Sequence, residues 1–176
     1  MHLHRGNLFL VGMPGSGKST LGRLMAKRLD KPFYDADVEL EQRLGVTIPV
    51  IFELEGEAGF RDREAVMLAE LTERANTIMA TGGGAVIRPA NRERLKQNGT
   101  ILYLHATPAT LWERTRRTRH RPLLQAADPF ARIQELYAFR DPLYREVADF
   151  VIESDREQVY RLAQRLEQQL RASAGA

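Results

Sequence analysis

Residues 12 to 19 read Gly12-Met13-Pro14-Gly15-Ser16-Gly17-Lys18-Ser19, which matches the pattern G-x-x-x-x-G-K-[ST] in full. The glycines allow backbone conformations that turn successive N–H groups toward a bound anion. The pattern predicts that Lys18 reaches the β- and γ-phosphates of a nucleotide and that the Ser19 hydroxyl binds Mg²⁺. We expect the remaining phosphate contacts to come from the neighbouring backbone, at Gly15, Ser16, Gly17 and Thr20.

Short apolar runs alternate with longer amphipathic stretches on both sides of this loop. Residues 7–11 predict a buried strand that leads into the loop, and apolar residues at helical spacing predict a helix after it. Further strands are predicted at residues 33–35, 77–81, 100–104 and 150–152. Because helical stretches separate these strands, we expect an α/β fold with a parallel sheet and right-handed crossovers.

Two stretches do not fit this simple alternation. Residues 38–75 have an almost entirely helical pattern, long enough for a helical insertion over one end of the sheet. Residues 118–128 are polar and basic, then apolar, and are interpreted as a mobile lid. The pattern shows no repeat and no second domain, so we expect a single domain over residues 1–176.

Two acidic residues, Asp35 and Asp37, end the second predicted strand. Ligands of α/β sheets bind at the carboxyl edge, and residues two apart on a strand share a face, so both carboxylates are expected to point at one site. One would hold a Mg²⁺-bound water, and the other would orient a substrate hydroxyl for in-line attack. The alternative is that Asp37 caps the next helix.

An arginine and a glutamate three residues apart, Arg61 and Glu64, can pair on one face of a predicted helix. In a functional interpretation Arg61 binds a substrate carboxylate and Glu64 holds it in place. The alternative is a solvated ion pair with no role in binding.

Two later motifs also point to ligand binding. Gly82-Gly83-Gly84 follows the third predicted strand and lets the backbone approach a ligand closely. Pro142 interrupts a helical pattern just after Arg140. It indicates either a second carboxylate-binding arginine held at a kink or a simple helix boundary.

The composition excludes several other kinds of site. The chain has no cysteine, which excludes disulfides, thiol nucleophiles and cysteine-based zinc sites. Its 26 Lys and Arg residues nearly balance 23 Asp and Glu residues, so no nucleic-acid-binding face is indicated. The four histidines have no metal-ligand spacing and are interpreted as surface or lid residues. The first apolar run is too short to span a membrane, so we expect a cytoplasmic protein without a membrane partner.

Taken together, these motifs resemble the shikimate kinase family over nearly all of the chain. The phosphate loop is common to very many nucleotide-binding proteins, but an ordered set of further motifs is specific: Asp35-x-Asp37, Ile51-Phe52-Glu53, Phe60-Arg61-x-x-Glu64, Gly82-Gly83-Gly84, Arg121-Pro122-Leu123-Leu124 and Arg140-x-Pro142-x-Tyr144. The resemblance implies a three-layer P-loop kinase fold of the nucleoside-monophosphate-kinase type, with a five-stranded parallel sheet in the order 2-3-1-4-5. It implies Mg²⁺-dependent transfer of the ATP γ-phosphate to the 3-hydroxyl of shikimate, in aromatic amino-acid biosynthesis. Because small enzymes of this architecture need no partner subunit to complete a site, we expect a monomer.

Matched residue by residue, the resemblance implies a role for most of these positions. Shikimate would be held by the three glycines Gly82, Gly83 and Gly84 together with Asp37, Arg61 and Arg140, with Phe52 and Phe60 packed against its ring. The two arginines would take its carboxylate, and Asp37 its hydroxyls. Asp35 would act on Mg²⁺ through water, beside Ser19 as a direct ligand.

The nucleotide side follows from the same resemblance. Arg121 would swing in with the lid and contact the phosphates, which makes it a catalytic residue together with Lys18 and Asp37. Arg117 would stack near adenine, with Arg116 as the alternative, and Arg156 would flank the base.

Three other functions remain open on the sequence. A kinase for another small metabolite such as gluconate would need similar groups, since gluconate also has a carboxylate and hydroxyls. A nucleoside monophosphate kinase would use its arginines on a monophosphate. A nucleotide-binding regulator would have lost catalysis, but Lys18, Asp37 and Arg61 are all present.

Overall fold

Five parallel strands form one sheet in the order β2-β3-β1-β4-β5. The computed structural model describes residues 6–117, 126–154 and 158–174. Within these ranges the strands are β1 Leu8–Val11, β2 Phe33–Asp35, β3 Ile78–Ala80, β4 Thr100–His105 and β5 Phe150–Glu153. The strand order and direction confirm the sheet expected from the sequence.

Helices connect successive strands and cover both faces of the sheet. The helices in the described part of the chain are α1 Lys18–Leu29, α2 Ala36–Leu44, α3 Ile48–Glu73, α4 Pro89–Asn98, α5 Pro108–Thr115, α6 Pro129–Val147 and α7 Val159–Ala174. Two of their starts follow from local chemistry, because the side chains of Thr107 and Asp128 accept hydrogen bonds from backbone N–H groups in the first turns of α5 and α6. A proline follows each cap at the first helical position.

The central strand β1 is buried on both faces, which explains its unbroken apolar sequence. Leu8 and Leu10 pack with residues of α1 and α7, whereas Phe9 and Val11 pack with residues of α3 to α6. The two apolar cores therefore lie on opposite faces of the sheet, and the three-layer α/β architecture is confirmed.

The predicted helical stretch of residues 38–75 contains most of α2 and all of α3. Gly45 ends α2 in a left-handed conformation, with φ of 68°. Gly56 breaks α3 with φ of 70° and ψ of −178°, a conformation nearly restricted to glycine. The break separates a short segment that carries Phe52 from a longer one that carries Phe60 and Arg61.

Two minor interpretations of the sequence are wrong. Pro142 does not mark a helix boundary, because it lies inside α6, whose buried residues continue on both sides of it at Arg140 and Tyr144. His105 is not a surface or lid residue, since it ends β4 and is only 8% exposed. Its Nδ1 lies 2.7 Å from Glu153 Oε2, and its Nε2 lies 2.6 Å from the Tyr137 hydroxyl.

Candidate active site

The phosphate loop joins β1 to α1 at the carboxyl edge of the sheet. Gly17 lies at the N-cap of α1 with φ of 97°, and a glycine has no side chain with which to cap the first N–H groups. Gly15 has φ of 87°, and a Cβ atom there would lie 2.4 Å from Thr115 Cγ2 of α5. The loop is therefore tightly packed against α5, and the N-terminus of α1 faces the site as an anion-binding end.

Lys18 is folded back over this loop. Its Nζ donates hydrogen bonds to the carbonyl oxygens of Gly12 at 2.8 Å and Met13 at 3.0 Å. The side chain is buried, with 7% of the residue exposed. A preorganised ammonium group thus lies beside the anion-binding end of α1.

The carboxylate of Asp35 connects β2 to both neighbouring helices. Its Oδ2 accepts a hydrogen bond from the Ser19 hydroxyl of α1. Its Oδ1 accepts from the backbone N–H groups of Asp37 and Val38, which makes Asp35 the N-cap of α2. Two oxygen ligands of the kind that Mg²⁺ prefers, a hydroxyl and a carboxylate, therefore lie side by side.

Asp37 reaches the same site by a different route from the one expected. It does not share a strand face with Asp35, because β2 ends at Asp35 and Asp37 lies in the first turn of α2. The alternative role as a helix cap belongs to Asp35 instead. Burial, with the nearby charges of Glu64 and Asp35, raises the pKa of Asp37 from 3.8 to about 7. This carboxyl is therefore set to exchange a proton near neutral pH.

Arg61 and Glu64 form a buried ion pair, not the solvated one considered as the alternative. Arg61 Nη1 lies 2.8 Å from Glu64 Oε1, and the two side chains are 6% and 4% exposed. A second carboxylate, Glu57, approaches Arg61 Nη2 at 3.4 Å from the solvent side. Burial of this pair fixes the position of the guanidinium group.

Arg140 is the most deeply buried cation described, with 1% of the residue exposed. Within the described part of the chain its Nε and Nη1 have no hydrogen-bond partner. Burial lowers its pKa, and the positive charge of Arg61 lowers it further. Two neighbouring guanidinium groups with unused donors form a site for an anion such as a carboxylate.

The glycine triplet lies against both arginines. A Cβ atom on Gly84 would lie 2.3 Å from Nη1 and from Nη2 of Arg61, and one on Gly83 would lie 3.3 Å from Arg140 Nη1. A Cβ atom on Gly82 would lie 2.7 Å from Asp37 Oδ1. Any side chain at these positions would occupy space that the charged groups need, which explains three consecutive glycines.

One cavity of about 630 Å³ unites these groups with the phosphate loop. Phe52 and Phe60 form an aromatic wall of it, with ring centroids 4.8 Å apart. The cavity is lined by every site residue predicted from the sequence that the structure describes, except Ser16 and Arg117. Ser16 lines a neighbouring cavity of about 260 Å³, whose other walls include Leu104, Val159 and Leu162.

Arg114 is a site residue that the sequence reasoning missed. Its Nη1 donates to the Ser16 carbonyl at 3.3 Å, and its Nη2 donates to the Ser154 carbonyl at 3.0 Å. It lines both cavities, whereas Arg117 lines neither and Arg116 pairs with Glu113 at 3.3 Å. The signal was the helical phase of α5, which places Arg114 and Thr115 against the phosphate loop.

Two predicted contacts, Arg121 and Arg156, lie outside the described residues, as does most of the predicted lid at 118–128. Among the described residues there is no cluster of three or more metal-binding side chains. No helix of the described chain is long and apolar enough to cross a membrane.

Comparison with known proteins gives a consistent family. The family model described as shikimate kinase matches residues 14–171. A shikimate kinase from Cupriavidus pinatubonensis is 58% identical over 170 residues, which cover 97% of this chain and 88% of that protein. One from Burkholderia pseudomallei is 60% identical over 153 residues, which cover 87% of this chain and 83% of that protein.

Solved structures agree with the sequence matches. A shikimate kinase from Acinetobacter baumannii, solved in complex with shikimate, has a TM-score of 0.90 and 48% identity, over 93% of this chain and 91% of that one. A gluconokinase from Sinorhizobium meliloti has a TM-score of 0.57 at 20% identity, over 94% of this chain and 95% of that one, and is thus similar in fold alone. Because both the family model and close relatives match almost end to end, the chain belongs to the shikimate kinase family.

Proposed function

We propose that the chain transfers the γ-phosphoryl group of ATP to the 3-hydroxyl of shikimate, a step of the shikimate pathway. The observation that carries this proposal is the shared cavity, in which a phosphate loop faces a buried pair of arginines. The loop suits the polyphosphate of the donor, and the arginine pair suits the carboxylate of the acceptor. Both substrates would therefore meet in one space of suitable size.

On the donor side, Lys18 and the first turn of α1 bind the phosphates. The ammonium group already lies over the loop, held by the Gly12 and Met13 carbonyls, so little rearrangement is needed for it to reach the transferred group. Charge on the equatorial oxygens of that group is stabilised by this ammonium and by the N–H groups of the loop. Lys18 thereby lowers the energy of the transition state more than that of bound ATP.

On the acceptor side, Arg61 and Arg140 hold the carboxylate while Asp37 holds a hydroxyl. Glu64 fixes Arg61, and the unused donors of Arg140 point to an anion as the missing partner. With its pKa raised to about 7, Asp37 accepts the proton of the attacking hydroxyl more readily than an ordinary aspartate would. Phe52 and Phe60 pack on the ring and exclude water from this side of the cavity.

The residues present fit a Mg²⁺ ion at Ser19 and Asp35. These two oxygen ligands already meet through a hydrogen bond, and Mg²⁺ in kinases usually takes one or two protein ligands beside phosphate and water oxygens. When bound, the ion neutralises charge on the β- and γ-phosphates. Asp35 also caps α2, so the same carboxylate sets the position of Asp37 relative to the metal site.

For the nucleoside, we assign the smaller cavity and Arg114. Its apolar residues Leu104, Val159 and Leu162 suit a base and ribose, and Arg114 joins it to the phosphate loop. A guanidinium group in this place can stack on the flat face of a purine. Arg117, Arg121 and Arg156 stay predictions of the sequence, as do the lid and the single-domain division. The monomeric state and the cytoplasmic location also stay predictions.

A coupled assay of ADP release tests the proposal. The enzyme is supplied with ATP and Mg²⁺ and, in separate reactions, with shikimate, gluconate or AMP. Turnover with shikimate alone is the expected result. Turnover with gluconate or AMP at a comparable kcat/KM, or none with shikimate, would contradict it. A Mg²⁺ titration of the same reaction tests the metal site, because activity should be lost with chelator and restored by excess Mg²⁺.

A further inference from the structure

A buried hydroxyl connects the second carboxylate-binding arginine to the glycine triplet. Tyr144 lies one helical turn after Arg140 in α6 and has no exposed surface. Its hydroxyl donates a hydrogen bond to the Gly83 carbonyl. The Arg140 guanidinium group, which can only donate, is an electrostatic neighbour of the same hydroxyl. The hydroxyl gives its one proton to Gly83, so its oxygen is left to face the donors of Arg140.

Gly83 lies between the phosphate loop and the guanidinium group of Arg140. A Cβ atom on it would lie 2.7 Å from Pro14 Cδ of the phosphate loop and 3.3 Å from Arg140 Nη1. Because a glycine has no side chain to pack, its position must be fixed through backbone groups. The hydrogen bond from Tyr144 to the Gly83 carbonyl supplies such a restraint.

The ring that carries this hydroxyl is itself held in place. The Tyr103 ring of β4 packs on it with centroids 4.9 Å apart and an interplanar angle of 34°. Burial raises the pKa of Tyr144, so the hydroxyl stays protonated and able to donate at physiological pH. A buried, hydrogen-bonded hydroxyl on a packed ring has very little freedom to move.

We propose that Tyr144 is a positioning residue for the acceptor: it sets the position of Arg140 and of the Gly83 backbone at the same time. This inference rests on the proposed function, in which Arg140 holds the carboxylate of shikimate in the cavity that Gly83 also lines. Without the hydroxyl, Arg140 loses the neighbouring oxygen that its donors face, and the half-buried Gly83 carbonyl loses its donor. Binding of the acceptor should weaken, whereas binding of ATP should not.

The test is Tyr144→Phe, with Tyr103→Phe as a matched control. Both residues are buried tyrosines in contact with each other, and each change removes one hydrogen-bonded hydroxyl. The Tyr103 hydroxyl donates to Asp141 Oδ1 at 2.7 Å, and Tyr103 does not line the cavity. Steady-state kinetics are measured for both substrates, together with the thermal midpoints.

For Tyr144→Phe we expect the KM for shikimate to rise about fivefold or more, while the KM for ATP changes less than about twofold. For Tyr103→Phe we expect a similar fall in thermal midpoint with both KM values unchanged. The inference is overturned if Tyr144→Phe leaves the KM for shikimate unchanged, or if both variants raise it equally. Failure of the proposed function is distinct, because the wild-type enzyme would then not phosphorylate shikimate at all.

A second comparison separates a loss of positioning at Arg140 and Gly83 from a general loss of stability. It can also replace the first test if Tyr144→Phe folds poorly. Tyr144→4-aminophenylalanine keeps an N–H donor at the same place and should bring the KM for shikimate back close to the wild-type value. An analogue of shikimate with a hydroxymethyl group in place of the carboxylate has no negative charge for Arg140 to bind. The wild-type enzyme and Tyr144→Phe should therefore differ less with this analogue than with shikimate. An equal difference with both acceptors, or failure of the amino variant to restore binding, would count against the inference.

Discussion

The carboxylates of Asp37 and Glu64 meet above Gly82: a Cβ atom on that glycine would lie 2.7 Å from Asp37 Oδ1 and 2.9 Å from Glu64 Oε2. The two residues come from different helices, α2 and α3. Burial is the main reason that the pKa of each is raised, and the charge of Glu64 adds to the effect on Asp37. Two carboxyl groups in one buried site are tolerated because the cationic side chains of Lys18, Arg61 and Arg140 lie around them.

This arrangement predicts that Asp37 destabilises the free enzyme at alkaline pH. Its pKa of about 7 in the folded chain lies above the ordinary 3.8, so the folded state binds the proton more tightly than the unfolded state does. The free energy of unfolding should therefore fall as pH rises from about 4 to about 7, by at most about 4 kcal/mol from this group. We expect Asp37→Asn to have a higher thermal midpoint than the wild type at pH 8, with the difference shrinking toward pH 4.

The control for that measurement is Asp62→Asn, since the Asp62 side chain is 73% exposed and pairs with Arg88 on the surface. It should change the thermal midpoint little at either pH. A stabilisation by Asp37→Asn that is the same at pH 4 and pH 8 would show that the charge of Asp37 is not its cause.

The same pKa predicts the pH dependence of the reaction. A protonated Asp37 cannot accept the hydroxyl proton, so kcat/KM for shikimate should fall as pH decreases through about 7. Asp37→Asn should be slower by about 100-fold or more and should lose this acidic limb. A wild-type profile that is flat from pH 6 to pH 8 would argue against Asp37 as the proton acceptor. The profile is recorded with saturating ATP and Mg²⁺, so that phosphate ionisation does not contribute.

Lys18→Ala should abolish most activity with a small effect on folding. The ammonium group binds loop carbonyls and stabilises the transferring phosphoryl group, and removal of one preorganised donor costs about 100-fold or more in turnover. Lys27→Ala is the matched control, since Lys27 is an exposed lysine of the same helix. Circular dichroism checks that both variants are folded. Near-normal turnover in folded Lys18→Ala would contradict the assignment of the phosphate loop.

Much of the fold was predictable because its signals are local. The phosphate loop has a fixed spacing, the buried strands are short apolar runs, and Thr107 and Asp128 have the side-chain chemistry of helix caps. Whether a given residue belongs to a strand or to a helix was harder to predict from the sequence. Asp35 and Asp37 look like one strand face in sequence, but Asp35 caps a helix that begins at the next residue, and the two carboxylates converge through that turn.

Long-range contacts of the site were not predictable from local patterns. Arg114 reaches the phosphate loop because Thr115 packs into the space left by Gly15, a contact between residues 100 positions apart. Burial of the Arg61–Glu64 pair depends on the glycine triplet that passes over it. In both cases the deciding feature is a missing Cβ atom elsewhere in the chain, whose effect a sequence pattern does not reveal.

The choice between the arginines at the end of α5 can be tested directly. Arg114→Ala should raise the KM for ATP by roughly two- to thirtyfold, the range expected for loss of one cation stacked on an aromatic face. Arg117→Ala is the matched control, because Arg117 is exposed and lines neither cavity. The same variant tests the prediction from the sequence that Arg117 stacks near adenine. A larger effect of Arg117→Ala than of Arg114→Ala would favour the original assignment. The KM for shikimate should be unchanged in both variants.

Gly84→Ala should weaken acceptor binding without unfolding the enzyme. The added methyl group would lie 2.3 Å from both terminal nitrogens of Arg61 and 2.4 Å from its Cζ, so one of the two groups must move. The guanidinium is the end of a flexible side chain, which makes its displacement from Glu64 easier than a shift of the backbone. Since a hydrogen bond to a charged group contributes about 1.5–3 kcal/mol, the KM for shikimate should rise about 10- to 150-fold, with little change in the KM for ATP. Gly6→Ala is the control, because Gly6 has φ of 73° and contacts Asn76 rather than the site, so the alanine should lower the thermal midpoint and leave both KM values unchanged. If Gly84→Ala kept the wild-type KM for shikimate, Arg61 would not be the group that holds the acceptor.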